Sequence, residues 1–455
     1  MHRPIERSIP NVPRVAIVGG LAIALAAPSC VQHPREPAPV TVVVVMPPGP
    51  AVQSAAAPET SAPAAKAEPR APLPEPAAVP RGIVSEPTGR ALDSKARGVA
   101  RREPALAQAR SWLEAHQSPD GRWDSDGFMT NCDHVGGGKC SGAGQAGNDV
   151  AVTGLALLAF LAGGSTTKEG PQQEVVSRGI RWLVEQQDPD LGFLGERGGQ
   201  PFMYNHAIGT LALCEAYYFS KEPELKKPAQ DAVNFILRSR NPYAAWRYEY
   251  PPTGDNDTSV TGWMVFALKS AEEGGLEIDP QAYAGALAWI DEVTDPETGR
   301  VGYDRRGSPS SRIPNVNSHF PPEKGEAMTA VGLLCRFFMG QEPKDVPMME
   351  KHAQLIVQKL PVWAPDDYAV DMIYWYFGSY AMYQMGGTRY WDKWNKAMKP
   401  AMVDSLRRGS QHGDEAGSWD PVGPWGYAGG RVYSTALMTL CIQAYYRYAK
   451  VLGAR

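Results

Sequence analysis

The chain has 455 residues, 43% hydrophobic and 21% charged, so its apolar content is sufficient for a large packed core. Lys and Arg number 45 against 49 Asp and Glu, a net charge of −4, which leaves no basic excess to neutralise a phosphate backbone and excludes nucleic acid as the main partner. Six cysteines without a CxxC pair exclude a disulfide-stapled scaffold and a zinc ribbon.

In chain order, Arg3, Arg7 and Arg14 precede the apolar run from Val15 to Ala27, which ends at Ala-Pro-Ser-Cys30. That run is about thirteen residues, short of the about twenty a bilayer span requires, and reads as an export signal over residues 1–30. A cysteine at this place resembles a bacterial lipoprotein signal, although Ala27 and Ser29 stand where Leu and Gly or Ala are usual. The resemblance implies lipidation at Cys30 and an exported barrel, periplasmic or on the cell surface, meeting the membrane only through that anchor; simple secretion is the alternative. Residues 31–103 are rich in Pro and Ala and read as a disordered linker, because such a segment cannot bury enough apolar surface to fold.

Residues 104–455 repeat themselves. Small residues at 154, 209, 262, 332, 378 and 436 recur in apolar segments with a mean spacing of about 56 residues. Each segment alternates with an amphipathic one such as Leu106–His116 or Val176–Gln186. This predicts six helical hairpins, with the apolar set as inner helices and the amphipathic set as outer ones. A second signature follows the outer helices: Trp112-Leu113, Gln117, Gly121-Arg122-Trp123 in the first repeat; Trp182-Leu183, Gln187, Gly192-Phe193 in the second; Gln411, Gly417-Ser418-Trp419 in the sixth, with fragments around Trp246 and Trp289. Gln can bond the helix end and the loop, Gly permits the sharp turn, and the aromatic caps the hairpin.

These motifs resemble the prenyltransferase and squalene-cyclase repeat superfamily, with its Gln…Gly-x-Trp motif. The resemblance implies an all-α fold, a six-hairpin α/α toroid around a central cavity. The run Tyr374-Trp375-Tyr376, Trp391-Asp392-Lys393-Trp394, Gly417-Ser418-Trp419-Asp420 and Arg431-Val432-Tyr433 is similar to the exported bacterial single-barrel branch. It further implies an isoprenoid-like or other apolar ligand and, if the protein is an enzyme, terpene cyclase or prenyltransferase chemistry. A non-catalytic scaffold for an envelope protein or glycan, and a uronate lyase, are the alternatives.

Several residues carry candidate chemistry. Asp257, with Asp255 as its partner, falls where a class II terpene cyclase holds its proton-donating acid, although Thr258 replaces the last Asp of that motif; an N-cap for the third inner helix competes with this role. Tyr204-Asn205-His206 opens the second inner helix, and His206 with Tyr248 or Tyr250 is the constellation a lyase would use. Asp149, His206, Asp257, Glu326, Tyr374 and Tyr433 are expected to ring one end of the cavity, with Tyr204, Asn205 and Trp375 beside them. No cofactor is expected. Asp367 and Asp371 would share a helix face and could take magnesium, with a dipole-stabilised helix start as the stronger reading. No barrel cysteine has an Asp two residues before it, which removes the zinc pattern of protein prenyltransferases and leaves no expected metal. Cys132 and Cys140 could form a disulfide, and Gln145 is too far from Cys140 for a thioester motif. Nucleotide-binding, serine-hydrolase, zincin and Rossmann motifs do not occur.

Overall fold

The structure, a computed structural model, describes residues 99–133, 139–199, 201–242 and 244–447; the expected export signal, Cys30 and the expected linker as far as residue 98 lie outside them. The α-helices are α1 (Val99–Ala115), α2 (Asp149–Ala162), α3 (Gln173–Glu185), α4 (Pro201–Ser220), α5 (Pro223–Arg238), α6 (Thr258–Gly274), α7 (Pro280–Val293), α8 (Ala327–Phe338), α9 (Met348–Val357), α10 (Met372–Met385), α11 (Asp392–Met398) and α12 (Gly426–Arg447). Helix α1 thus begins inside the segment expected to be linker.

The even-numbered helices form the inner ring. Each packs on the next, and α12 returns to α2, so the ring closes. The odd-numbered helices lie outside, α1, α3, α5, α7 and α9 each against two successive inner helices. Burial follows this order. Every residue from Val150 to Leu161 of α2 is buried, whereas α3 buries Val175, Val176, Gly179, Ile180, Trp182 and Leu183 on one face. The recurring small residues allow this closeness: a side chain at Gly154 would press on the Ile208 carbonyl of α4, and one at Gly262 would overlap Val331 of α8.

The Gln, Gly and Trp positions join the repeats. The Gln117 side-chain amide donates to the Gly121 carbonyl at 2.8 Å and to the Val175 carbonyl of the next outer helix at 3.0 Å; Gln187 does the same with Gly192 and Pro228. Gly121 has a φ of 103° and lies against the Arg178 backbone, which only glycine tolerates. The indoles of Trp123, Trp246 and Trp419 donate to the carbonyls of Leu113 in α1, Ile236 in α5 and Met402 in the π-helical turn after α11, and their backbone N–H groups meet Thr153, Thr261 and Thr435 of the inner helices. In the sixth repeat Gln411 departs from the expectation. Helix α11 is short and flanked by π-helical turns, so Gln411 falls in a 3-10 turn (Ser410–Glu415) and donates only to Arg408.

Two connections are longer than the rest, α1 to α2 and α7 to α8, and the second bears on the ring mouth. It crosses the ring mouth as a flap. Arg312 pairs with Asp371 at the start of α10, and Asn317 donates to the Pro424 carbonyl before α12.

Candidate functional site

A cavity of about 150 Å³ opens at the N-terminal ends of the inner helices, and all six contribute to its wall. Val152, Ile208, Met328, Val331, Ile373 and Phe377 give it an apolar lining, with Trp263 and Tyr433 beside them. Beneath, Trp263 stacks on Tyr376 at 5.3 Å and Phe266 meets Phe338 at 4.9 Å, so aromatic packing closes the floor. Ser310, Ser311 and Arg312 of the flap face the cavity together with Asp371.

One sector of the wall is polar. Tyr204, Tyr248, Tyr303 and Ser259 meet there. The Tyr204 hydroxyl bonds the Ser259 hydroxyl at 2.6 Å, Ser259 donates to Asp257 Oδ1 at 2.7 Å, and Tyr248 bonds Tyr303 through their hydroxyls. Asp257 is fully buried behind them. It caps α6, its Oδ1 accepting the Val260 N–H at 2.8 Å, while Oδ2 has no hydrogen-bond partner. Burial pushes its carboxyl up to about 6, against the opposing pull of those hydrogen bonds and of Arg247. Burial also raises the phenols of Tyr204, Tyr248 and Tyr303, and the nearby Asp257 adds to each shift. Asp257 therefore both caps the helix and joins a hydroxyl chain that reaches the cavity.

Of the other expected residues, Tyr204 and Tyr433 line the cavity. Asp255 does not assemble with Asp257; it lies exposed in the preceding turn, which the Asn241 side chain holds through the Asp255 carbonyl. His206 turns away from the mouth. Its Nδ1 accepts the Leu194 N–H at 3.2 Å, the ring packs edge-on to Phe235 at 4.7 Å, and burial lowers it to about 3. That position gives it no path to a ligand proton, which removes the lyase constellation. Asn205 instead ties Ala151 N–H to the Gly147 carbonyl, and Asp149 accepts from Ser125 and pairs with Arg122. Glu326 is held by Arg300 at 2.6 Å and by Thr329 at 3.0 Å. Tyr374 points outward and donates to the Ile356 and Lys359 carbonyls, and Trp375 is buried beside Trp363.

Asp367 and Asp371 do not share a helix. Asp367 ends a 3-10 turn, Tyr368 has a φ of 51°, and Asp371 caps α10 by accepting the Tyr374 N–H. Each carboxylate already has a cation, Lys324 and Arg312 respectively. Cys132 and Cys140 are free thiols rather than a disulfide, both facing His116.

The site also contains residues that the motifs did not indicate: Ser259, Tyr303, Trp263 and Arg312. Two carry a sequence signal. Ser259 follows Tyr204, and Tyr303 follows Tyr248, by 55 residues, close to the repeat period, so one step from a repeat to the next brings each pair together.

A family model for the squalene-hopene cyclase C-terminal domain matches residues 89–201. No curated protein matches the sequence. Among solved structures, the chain is similar to an α-mannanase of glycoside hydrolase family 76 from Bacteroides thetaiotaomicron, at 11% identity and a TM-score of 0.50, covering 77% of this chain and 96% of that one. It is also similar to cellobiose 2-epimerase from Bacillus thermoamylovorans, at 15% identity and a TM-score of 0.49, covering 76% and 99%. These likenesses are of fold alone.

Proposed function

We propose that this chain, which belongs to the prenyltransferase and squalene-cyclase repeat superfamily, binds the end of an apolar, isoprenoid-like molecule in its ring cavity and grips an oxygen of that molecule with its tyrosine sector. The observation that carries this reading is an apolar wall drawn from all six inner helices around one cluster of buried hydroxyls. Such walls with few convergent polar groups are the usual form of a small-molecule site. The volume of about 150 Å³ matches a cavity that takes a benzene-sized guest, so one branched terminus fits inside and a longer chain extends under the flap.

The hydroxyl chain defines the chemistry available. Asp257 holds its proton in mild acid, and Ser259 and Tyr204 connect it to the cavity through bonds of 2.7 and 2.6 Å. Direct protonation of an alkene requires a strong acid in contact with the carbon, whereas here a phenol of raised pKa stands between. The arrangement suits hydrogen bonding to an alcohol or carbonyl oxygen, with Asp257 setting the charge of the cluster.

Trp263 and Trp425 line the cavity and report on its occupancy. Titration with farnesol should quench tryptophan fluorescence saturably at one equivalent. Tyr204→Phe should weaken binding about fivefold, the loss of one hydrogen bond, and Val331→Trp should block it. Binding of a mannooligosaccharide with no response to farnesol sinks the proposal. That outcome would support a carbohydrate reading, which the polar wall segment of Ser311, Arg312 and Asp371 favours. Export and lipidation at Cys30 belong to the same proposal: palmitate labelling should be lost in Cys30→Ala.

A further inference from the structure

We infer that His116, Cys132 and Cys140 form a zinc site that fastens the end of α1 to the loop beside the cavity. All three are buried, and their ligand atoms lie within 4.8 Å of one another. Cys132 Sγ is 3.6 Å and Cys140 Sγ 3.4 Å from His116 Nε2. A tetrahedral zinc with ordinary Zn–S and Zn–N bonds places sulfur and nitrogen about 3.6 Å apart, so one ion fits between them with little movement. The imidazole is already set for this. Its Nδ1 lies 2.8 Å from the Trp112 carbonyl, the second-shell bond that metal-ligating histidines make, which directs the Nε2 lone pair at the two sulfurs. Trp112 stacks on the ring at 4.1 Å and Phe128 packs edge-on at 5.8 Å, fixing its plane.

The chemistry of the donor set selects the metal. Two thiolates and a neutral imidazole are soft ligands that favour zinc over calcium or magnesium, and their two negative charges balance one divalent cation. Binding displaces the two thiol protons to solvent and forms two Zn–S bonds and one Zn–N bond, with no change of oxidation state. A disulfide would use both sulfurs and leave Nε2 a buried acceptor without a donor. The described residues supply three of the four ligands of a tetrahedral zinc.

The site's place in the fold gives it a consequence. Immediately after Cys140, the Ser141 carbonyl accepts from Arg431 Nε at 2.8 Å, the Gly142 carbonyl accepts the Arg431 N–H, and Gln145 N–H donates to the Ala428 carbonyl. Asn148 and Ala428 line the cavity. A metal at His116 therefore fixes the loop that forms this wall.

Metal analysis of the full chain purified without chelator tests the proposal. One zinc per chain is expected, and removal should yield the full count of free thiols. Cobalt(II) added to the stripped protein should give a thiolate-to-cobalt charge-transfer band with release of two protons per metal. Cys140→Ser should weaken zinc binding by more than 100-fold, beyond the about 10–100-fold of an outer-sphere loss, whereas Cys214→Ser, buried within α4, should leave the stoichiometry at one. Should the Cys140 variant fail to fold, the cobalt spectrum of the wild-type chain decides alone. A metal-free chain with a Cys132–Cys140 disulfide overturns the proposal, as does one whose thiols are all free and give no cobalt–thiolate band. Farnesol binding in the titration above is scored separately, so either idea can fail without the other.

Discussion

Helices α6 and α8 begin in the same way and end up in different electrostatic states. Each has a buried carboxylate at its N-cap position, Asp257 and Glu326. Glu326 is held at both oxygens by Arg300, so its charge is answered within the repeat. Asp257 has serine and backbone partners on one oxygen and none on the other. The difference lies in what the preceding turn supplies. Before α8 it is Arg300, directly after the positive-φ Gly299, and before α6 it is a chain segment that brings Tyr248 instead. A repeat can therefore keep one scaffold position and change it from a neutralised strut into a titratable group at a cavity wall. The start of α4 offers a third state, a neutral His206 accepting a backbone N–H.

Acidification should separate these states most strongly. His206 is lowered to about 3 from an ordinary 6.5, so the unfolded chain takes up its proton first and stability is lost as pH falls below 6.5. The loss attributable to this group approaches about 4–5 kcal/mol by pH 3. Urea unfolding of wild type and His206→Gln across that range should show it as a difference that grows toward acid.

Asp257 runs the other way. Its carboxyl is raised to about 6 from 3.8, so its contribution is fully present below pH 3.8 and is lost as pH rises through 6. Relative to Asp257→Asn, the wild type should lose up to about 3 kcal/mol between pH 4 and 7. A pH-independent difference between the two would show that the carboxyl is not protonated in the fold. At the contrasting site, Arg300→Met should cost about 2–3 kcal/mol at pH 7 by leaving Glu326 buried and unpaired. This is below the full effect of breaking a buried pair because the Arg300 side chain is 42% exposed.

Smaller effects refine the account. Asp257→Ala removes the cap as well as the charge and should lose about 1–2 kcal/mol relative to Asp257→Asn in thermal or urea unfolding, because only Asn keeps an acceptor for the Val260 N–H. Tyr204→Phe should change stability by no more than about 1 kcal/mol while altering ligand affinity, which would place its hydroxyl in recognition rather than folding.

The scaffold was legible because its constraints are periodic. A small residue where inner helices touch, and Gln and Trp where repeats join, recur at nearly fixed spacing, and packing admits few substitutes at those positions. The site was legible only in part. Tyr204 stands at a helix start and lines the cavity, Asp257 stands at another but behind the lining, and Tyr433 follows the kink at Gly430 onto the wall. His206, Glu326 and Tyr374 share the same approximate register but point into loops or outer helices, and Asn205 ties the start of α2 to the loop before it. A difference of one or two residues rotates a helical side chain by 100–200°, which no count of repeats resolves. Arg312 lay in the longest gap between repeats, a sign of inserted chain that does not reveal where the insertion folds. The His116 cluster escaped because its ligands do not form the Asp-x-Cys pattern and draw on an outer helix and a loop.

The closure of α12 onto α2 makes this molecule unlike an open array of repeats. In an open solenoid the terminal units can fray singly, since each has one free neighbour face. Here the last seam joins residues nearly three hundred apart in sequence, as in the bond from Gln443 to the Ala159 carbonyl and from Arg431 to Ser141. Sealing a loop of that length carries an entropic penalty of about 5 kcal/mol, which no single hairpin can offset. The six repeats must therefore contribute together, and a chain shortened by its final helix would lose both faces of one seam and the cavity wall with them.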